Sequence, residues 1–142
     1  MVNTSRGLRN NNPGNIRLSN TRYQGEVTSS DKAFKKFKSM AYGYRAIFVL
    51  LYTYQKKYHL HTIAEIICRY APAIENHTEA YINAVSEWSG TPATSHITST
   101  NGDVMIPIVA AMSRVENGVP AVIADVEAGW KLFITDYRAH KI

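Results

Sequence analysis

The chain has 142 residues and 45% of them are hydrophobic, which is enough to bury one core and predicts a single domain over residues 1–142. Its net charge of +5 and its pI of about 9.4 favour an anionic partner, either nucleic acid or bacterial cell wall. No run of residues approaches the roughly 18 apolar positions of a membrane span, and a single cysteine excludes an internal disulfide framework.

The residue types give no sign of a metal or cofactor. Cys68 has no second cysteine to join it and is interpreted as a small core residue, while His59 and His61 lack the spacing of a metal-binding pair. No glycine-rich phosphate loop or nucleic-acid motif is present, so we expect neither a cofactor nor nucleic acid as a partner. The first residues lack the apolar stretch of a secretory signal, which predicts synthesis in the cytoplasm.

Residues 5–30 are polar and rich in asparagine and glycine, which is typical of a small irregular lobe. Pro13 fixes a turn, and Gly14 and Asn15 tolerate the positive φ that such a turn requires. The pattern of residues 16–18 predicts one arm of a short hairpin. The asparagines of this segment offer both donors and acceptors to a polar ligand.

Apolar spacing predicts the elements that follow. In the basic run over residues 32–38, Phe34 and Phe37 are expected to face the core and to leave the lysines in solvent. From residue 42 to about residue 57, a stripe at three- and four-residue spacing predicts a buried helix face made of Ala46, Ile47, Leu50, Leu51 and Tyr54. The sequence Thr62–Glu65 is a capping box that opens a second helix, which Pro72 ends.

Three more helices are predicted after residue 72, and the second of them lies within Met105–Gly118. Asn76-His-Thr-Glu79 is typical of a helix cap, and Tyr81 lies on the buried face that follows. Residues 89–102 are predicted to form a polar loop. The last helix runs from about residue 120 to residue 137 with five residues inward, namely Val122, Val126, Trp130, Phe133 and Tyr137. The pattern predicts a mainly α fold with a small N-terminal hairpin or irregular lobe.

The stretch from Met105 to Gly118 carries the strongest indication of chemistry. Its apolar residues recur at helical spacing, Pro107 is expected in the first turn, and Asn117-Gly118 is typical of a left-handed helix stop. Glu116 then lies in the last turn, where the negative end of the helix dipole and apolar neighbours raise the pKa of a carboxyl group. Such a group can act as a general acid near neutral pH; the equal alternative is a surface glutamate just outside the helix.

One string, Asn-Asn-Asn-Pro-Gly-Asn-Ile at residues 10–16, is the most specific motif of the chain and lies within Arg6–Arg17. Later motifs accompany it: Phe34-x-x-Phe37, Gly43-Tyr-Arg-Ala46, Thr62-Ile-x-x-Ile-Ile67, Ala71-Pro72 and Glu75-Asn76-x-Thr78-x-x-Tyr81-Ile82. Together, over roughly residues 6–118, they resemble a phage and bacterial family of peptidoglycan hydrolases, some of which are labelled virion structural proteins. The resemblance implies an enzyme that acts on the bacterial cell wall.

A second, weaker resemblance suggests a mechanism. In lysozyme-like glucosaminidases and transglycosylases, a helix ends in the catalytic glutamate and an Asn-rich hairpin follows it. Here Asn12–Ile16 resembles that hairpin and Glu116–Gly118 resembles the helix end, but their order along the chain is reversed. The resemblance therefore implies a lysozyme-like domain in circularly permuted order, in which these two segments lie in contact. Chain termini commonly lie close together, so such a permutation is physically reasonable.

The implied reaction is cleavage of the glycosidic bond between the amino sugars of peptidoglycan. Glu116 protonates the leaving oxygen, Glu26 is the first candidate for a second carboxylate, and Glu75 is either a groove residue or part of a helix cap. If neither carboxylate approaches Glu116, the acetamido group or the 6-hydroxyl of the substrate supplies the second function. The candidates for substrate contact are Tyr23, Tyr70, Tyr81, Asn12, Asn15 and Asn76. The tyrosines are alternatively core-edge residues, and the asparagines alternatively serve turns.

The sequence is compatible with three functions from different classes. The favoured one is a cell-wall glycosidase, which is a muramidase, a glucosaminidase or a lytic transglycosylase. A non-catalytic virion structural or interaction protein keeps the fold without the activity. A nucleic-acid-binding module is suggested by the charge alone. For the glycosidase, the implied partners are peptidoglycan and proteins of a phage or a secretion apparatus, and the expected site of action is the cell wall, reached from the virion, at lysis or by dedicated export.

Overall fold

The computed structural model describes residues 4–72 and 77–142 of the chain. This part is mainly α, as the sequence predicted. Its elements are α1 (Arg6–Arg9), β1 (Glu26–Val27), β2 (Lys36–Phe37), α2 (Met40–Tyr58), α3 (Ile63–Tyr70), α4 (Thr78–Ser89), α5 (Gly102–Asn117) and α6 (Ile123–Arg138). None of these helices is long and apolar enough to cross a membrane.

Helices α2 and α6 pack side by side at the centre of the hydrophobic core. Gly129 of α6 permits their close approach, since a Cβ at this position would stand 2.8 Å from the backbone nitrogen of Arg45. Phe48, Trp130 and Phe133 form an aromatic cluster between the two helices, with the rings of Phe48 and Trp130 edge to face at 5.1 Å. Helices α4 and α5 form a second pair, which carries the site described below.

Helix α3 begins with the predicted cap. The Thr62 hydroxyl accepts a hydrogen bond from the backbone N–H of Glu65 at 3.1 Å, and the Glu65 carboxylate reaches back to the N–H of His61 at 2.9 Å. The buried face consists of Ile63, Ile66 and Ile67. The prediction that Cys68 is a core residue was wrong: it is exposed, because the helix turns it away from the face that the isoleucines form.

Two helix boundaries differ from the sequence prediction. Helix α5 begins at Gly102, earlier than expected, so Pro107 lies in the second turn and not in the first. Val122, predicted to point inward, is the extended residue before α6 and is 63% exposed. Tyr137, also predicted inward, lies at the edge of the core at 36% exposure. Apolar spacing alone does not reveal where a helix begins, and these residues lie near helix ends.

The N-terminal lobe is held by short backbone pairings. Strands β1 and β2 are antiparallel, with Glu26 opposite Phe37, and Arg17 forms an isolated bridge with Phe34, so residues 16–18 pair with a distant segment and make no local hairpin. The prediction that the lysines of residues 32–38 are all solvated was wrong for Lys35, which is fully buried. In an extended segment, residues two apart share a face, so Lys35 follows the buried Phe37 inward.

Candidate active site

Glu116 lies in the last turn of α5, as predicted, and Gly118 follows it with a φ of 74°. Its carboxylate forms hydrogen bonds with two segments that are distant in sequence, the turn that contains Asn15 and helix α4. The side-chain amide of Asn15 donates a hydrogen bond to Oε1 at 2.9 Å. The hydroxyl of Tyr81, on α4, donates one to Oε2 at 2.9 Å. Each carboxylate oxygen therefore has a donor, and the carboxylate is fixed in orientation.

Burial raises the pKa of Glu116 above its ordinary value of 4.5, because a charged carboxylate is poorly solvated in this position. The hydrogen bonds from Asn15 and Tyr81 and the positive charge of Arg17 act in the opposite direction, and burial outweighs them. Glu116 therefore keeps its proton to a higher pH than an ordinary glutamate does. This is the property that a general acid requires.

Asn117, the neighbour of Glu116, attaches the end of α5 to the N-terminal segment. Its amide donates to the carbonyl of Pro13 at 2.8 Å and to the carbonyl of Ser113 at 2.9 Å, while its Oδ1 accepts from the Ser5 hydroxyl at 2.6 Å. Gly7 makes the approach possible, since a Cβ there would stand 2.6 Å from Asn117 Oδ1. Sequence reasoning treated Asn117 only as part of a helix stop and missed this role.

The turn that carries Asn15 is held in a specific shape. Asn15 has a φ of 50°, in the left-handed region that asparagine tolerates better than most residues. The hydroxyl of Tyr70, on α3, donates to the carbonyl of Gly14 in the same turn. A Cβ at Gly14 would collide with this hydroxyl, so only glycine fits there. Burial, and secondarily the charge of Glu116, raises the pKa of Tyr70, so its hydroxyl stays protonated and remains a donor.

A cleft of about 390 Å³ opens beside Glu116, within the size range of ligand pockets. We call it the Glu116 cleft. Its walls come from the N-terminal lobe, α2, α3 and the end of α5, and among its lining residues are Asn15, Arg17, Tyr23, Tyr54, Tyr70 and Glu116. Burial raises the pKa of Tyr23 to about 12, so this phenol is neutral at physiological pH. The cleft thus combines one carboxyl group with several aromatic rings.

A second cleft of about 490 Å³ is also lined by Glu116, together with residues of α4. We call it the Trp88 cleft. Trp88 is 43% exposed, and the guanidinium of Arg114 lies 4.1 Å from its ring centroid. Sequence reasoning missed both residues, because Trp88 continues the spacing of Tyr81 and Val85 and a helical pattern predicts its burial. Glu116 is therefore shared by two clefts.

Two other predicted site residues, Asn12 and Glu26, do not line these clefts, and two more lie outside the described residues. Asn12 is fully buried, and its side chain bonds the backbone of Ile16 and Lys35, so it shapes the turn. Glu26 is not among the residues that line either cleft; its carboxylate pairs with the buried Lys35 at 3.0 Å. Glu75 and Asn76 lie outside the described residues. Asn15, Tyr23, Tyr70, Tyr81 and Glu116 are the predicted residues that line one of the clefts or both.

The chemistry of the described residues concerns protons and hydrogen bonds. In residues 4–72 and 77–142, no group of three or more histidine, cysteine, aspartate or glutamate side chains is placed to hold a metal ion. Glu116 is the one acidic side chain that lines the Glu116 cleft or the Trp88 cleft in this part of the chain. The arrangement can deliver a proton to an atom bound beside Glu116 and can later take one back.

Comparison with known proteins gives one informative similarity. No protein-family model matches the chain. The chain is similar to protein P5 of Pseudoalteromonas phage PM2, with 37% identity over an alignment of length 132 that covers 89% of this chain and 81% of the phage protein. An identity of this size over most of both chains indicates common descent and a shared fold. The chain therefore belongs to the family of phage protein P5.

Proposed function

We propose that this protein cleaves the glycan strands of bacterial peptidoglycan, with Glu116 as the general acid. The observation that carries the proposal is the position of Glu116, a partly buried carboxyl group with a raised pKa that lines two clefts at once. A polymer bound across both clefts has a bond beside Glu116 and chain on either side of it. An enzyme that cuts inside a polymer requires this arrangement.

The surroundings of Glu116 suit an amino-sugar polymer. Tyr23 lines the Glu116 cleft and Trp88 lines the Trp88 cleft, and flat aromatic rings pack well on the apolar faces of sugar rings. Asn15 adds an amide that is already oriented towards the reacting carboxyl group. The hydroxyls and acetamido groups of a glycan find both donors and acceptors on these walls.

The reaction that fits best uses one carboxyl group twice. Glu116 gives its proton to the leaving glycosidic oxygen as the bond to C1 breaks, and the resulting carboxylate then takes the proton of the 6-hydroxyl as that oxygen attacks C1. No water is consumed, and the product carries a 1,6-anhydro ring. This lytic transglycosylase route is supported by Glu26, which pairs with Lys35 and does not line the clefts.

Two further observations support the proposal. The turn at residues 12–16 contacts the end of α5 through Asn15–Glu116 and Pro13–Asn117 hydrogen bonds, as the permuted lysozyme-like order requires. The similarity to a protein of a phage agrees with a cell-wall enzyme, because a phage must breach the wall of its host. Peptidoglycan at the cell wall is then the substrate, and phage proteins are the expected partners.

The test is mass spectrometry of the fragments that purified sacculi release on incubation with the protein. Anhydro ends support the transglycosylase, reducing muramic acid indicates a muramidase, and reducing glucosamine indicates a glucosaminidase. Glu116→Gln must abolish release. If the folded wild-type protein releases nothing from sacculi, the glycosidase proposal is wrong and the non-catalytic phage protein becomes the better explanation.

A further inference from the structure

A third cleft, which we call the basic cleft, adjoins the Glu116 cleft. It has a volume of about 420 Å³ and shares Thr21, Tyr23, Leu50 and Tyr54 with the Glu116 cleft. Among the residues that the structure describes, no aspartate or glutamate side chain lines it, and five cationic side chains do: Arg22, Arg45, Lys57, Arg69 and Lys141. A concave site with this charge raises the local concentration of anions.

Arg45 is the buried cation of the basic cleft. It is 6% exposed and pairs through Nη2 with Asp136 at 2.9 Å. Its Nε has no hydrogen-bond partner among the described residues. An unsatisfied buried donor on a charged group is costly, so an acceptor supplied by a ligand would be bound favourably at this position.

Arg69 is oriented by two aromatic rings of the same cleft. Its guanidinium lies 3.6 Å from the centroid of the Tyr58 ring and 5.3 Å from that of Tyr54. Stacking occupies the faces of a guanidinium and leaves the N–H groups at its edge, which bind a carboxylate with two hydrogen bonds. Within the described ranges, Arg45 is the one cation of this cleft that forms an ion pair.

We infer that the basic cleft binds the carboxylates of the peptide stems of peptidoglycan. The inference rests on the proposed function, because the stems are attached to the glycan that would occupy the adjoining Glu116 cleft. A cleft of about 420 Å³ admits a short peptide, whereas a nucleic acid duplex needs a broad basic surface that follows its phosphates. The substrate is then glycan that still carries its peptides, and bare glycan is cleaved less well.

The test compares two substrates prepared from the same sacculi: soluble glycan strands with peptide stems, and strands from which an amidase has removed the stems. Wild-type protein is expected to cleave the first with a kcat/KM about ten-fold higher than the second, the size that one charge-assisted contact provides. In the double variant Lys57→Gln with Arg69→Gln, the ratio between the two substrates should fall towards one, mainly through KM.

The control is the double variant Lys32→Gln with Lys131→Gln, which removes the same net charge from exposed residues outside the three clefts. It should keep the wild-type ratio. Binding is measured separately by sedimentation with peptide-bearing strands, with Glu116→Gln added to every protein so that no cleavage occurs. The basic-cleft variant should bind these strands about ten-fold more weakly than the control.

The possible results distinguish a wrong role for the basic cleft from a wrong proposed function. Equal cleavage of both substrates by the wild type, or an unchanged ratio in the basic-cleft variant, overturns the role of the basic cleft and leaves the glycosidase standing. Absence of cleavage of both substrates overturns the proposed function, and the inference falls with it. A salt-sensitive DNA gel shift that the basic-cleft variant loses, together with unchanged binding of peptide-bearing strands, would assign the cleft to nucleic acid and overturn the inference.

Discussion

Two opposing effects act on the pKa of Glu116. Hydrogen bonds from Asn15 and Tyr81 favour the charged form, and burial disfavours it more strongly. The result is a carboxyl group that is held in one orientation and still has a raised pKa. A general acid needs both properties, because the proton must be present and must point at the leaving oxygen.

Glu116→Gln should lower activity on sacculi at least ~10²-fold, since the amide has no transferable proton. The fold should be preserved, because glutamine is nearly isosteric: its amide oxygen can still accept from Asn15, and its amide nitrogen can donate to the Tyr81 hydroxyl. Clearance of cell-wall turbidity and urea unfolding on the same preparations separate chemistry from folding. A folded variant that clears cell walls at nearly the wild-type rate would contradict the assignment.

The difference in stability between Glu116→Gln and wild type is also expected to depend on pH. Because the folded pKa of Glu116 is raised, the native state binds more protons than the unfolded state once the pH exceeds the ordinary value of 4.5. The wild type therefore loses stability from this group as the pH rises through that window, and the variant does not. The stability of Glu116→Gln relative to wild type should increase from pH 4 towards neutrality, as urea unfolding at a series of pH values would show.

Glu26 is assigned to structure by its pairing with Lys35, and this assignment is testable. Glu26→Gln leaves a buried lysine without its counter-charge, which should cost about 3–5 kcal/mol of unfolding free energy. Turnover per folded molecule should change little. Adding Lys35→Met should recover most of the stability, because a buried apolar side chain replaces the unpaired charge. A large loss of turnover in fully folded protein would return Glu26 to the catalytic mechanism.

At the scale of elements, the end of α5 and the N-terminal segment form one unit. Asn117→Ala removes the two hydrogen bonds that join them, with Ser5 and Pro13, and a third to Ser113 within α5. We expect a loss of about 1–3 kcal/mol of unfolding free energy together with reduced activity. Urea unfolding measures the first effect. Asn83→Ala, at an exposed position of α4, is the matched control and should change stability by less than ~0.5 kcal/mol. Equal effects of the two substitutions would show that the α5 attachment is dispensable.

The sequence predicted elements well where local chemistry determines them. The Thr62 cap and the glycine stop after Asn117 depend on neighbouring residues, and both are present. The predicted stripe of α2 is buried at Ala46, Ile47 and Leu51, whereas Leu50 and Tyr54 are partly exposed and line the clefts. The burial of Lys35 could not be predicted, because it depends on Glu26, which reaches it only when β1 and β2 pair. Element ends were misplaced for a similar reason, since packing against other elements decides them.

At the scale of the whole molecule, the Glu116 and Trp88 clefts should act as one groove. Trp88→Ala should raise KM for glycan strands about 3- to 10-fold with little change in kcat, because the ring binds the chain away from the reacting bond. Trp88→Phe keeps a ring and should stay near wild type. Initial rates over a range of strand concentrations give both constants. Unchanged KM in the alanine variant would confine the substrate to the Glu116 cleft.

The sequence predicted part of the candidate site, because some of its residues lie in local patterns that can be recognised without the structure. Glu116 was identified by its place before a helix stop, and Asn15 by its turn. Arg114 and Trp88 were not identified, because their contribution depends on the packing of α4 against α5. The contact between Asn15 and Glu116 spans 101 residues, and only the resemblance to a permuted lysozyme-like order suggested it.

The long separation along the chain between the two halves of the candidate site also affects when the site can form. Ser5 and Asn117 are 112 residues apart, so their hydrogen bond can form only after α5 has been synthesised. On the proposed function, a nascent chain that ends before α5 has no general acid, and a chain that has lost its first 15 residues has an acid without Asn15, one of its two hydrogen-bond partners. Contacts of such range also slow folding, because the entropy of closing a long loop must be lost before the contact can form. On the proposed function, unfinished or clipped molecules do not cleave the cell wall, and docking of the N-terminal segment against the end of α5 is the event that completes the site.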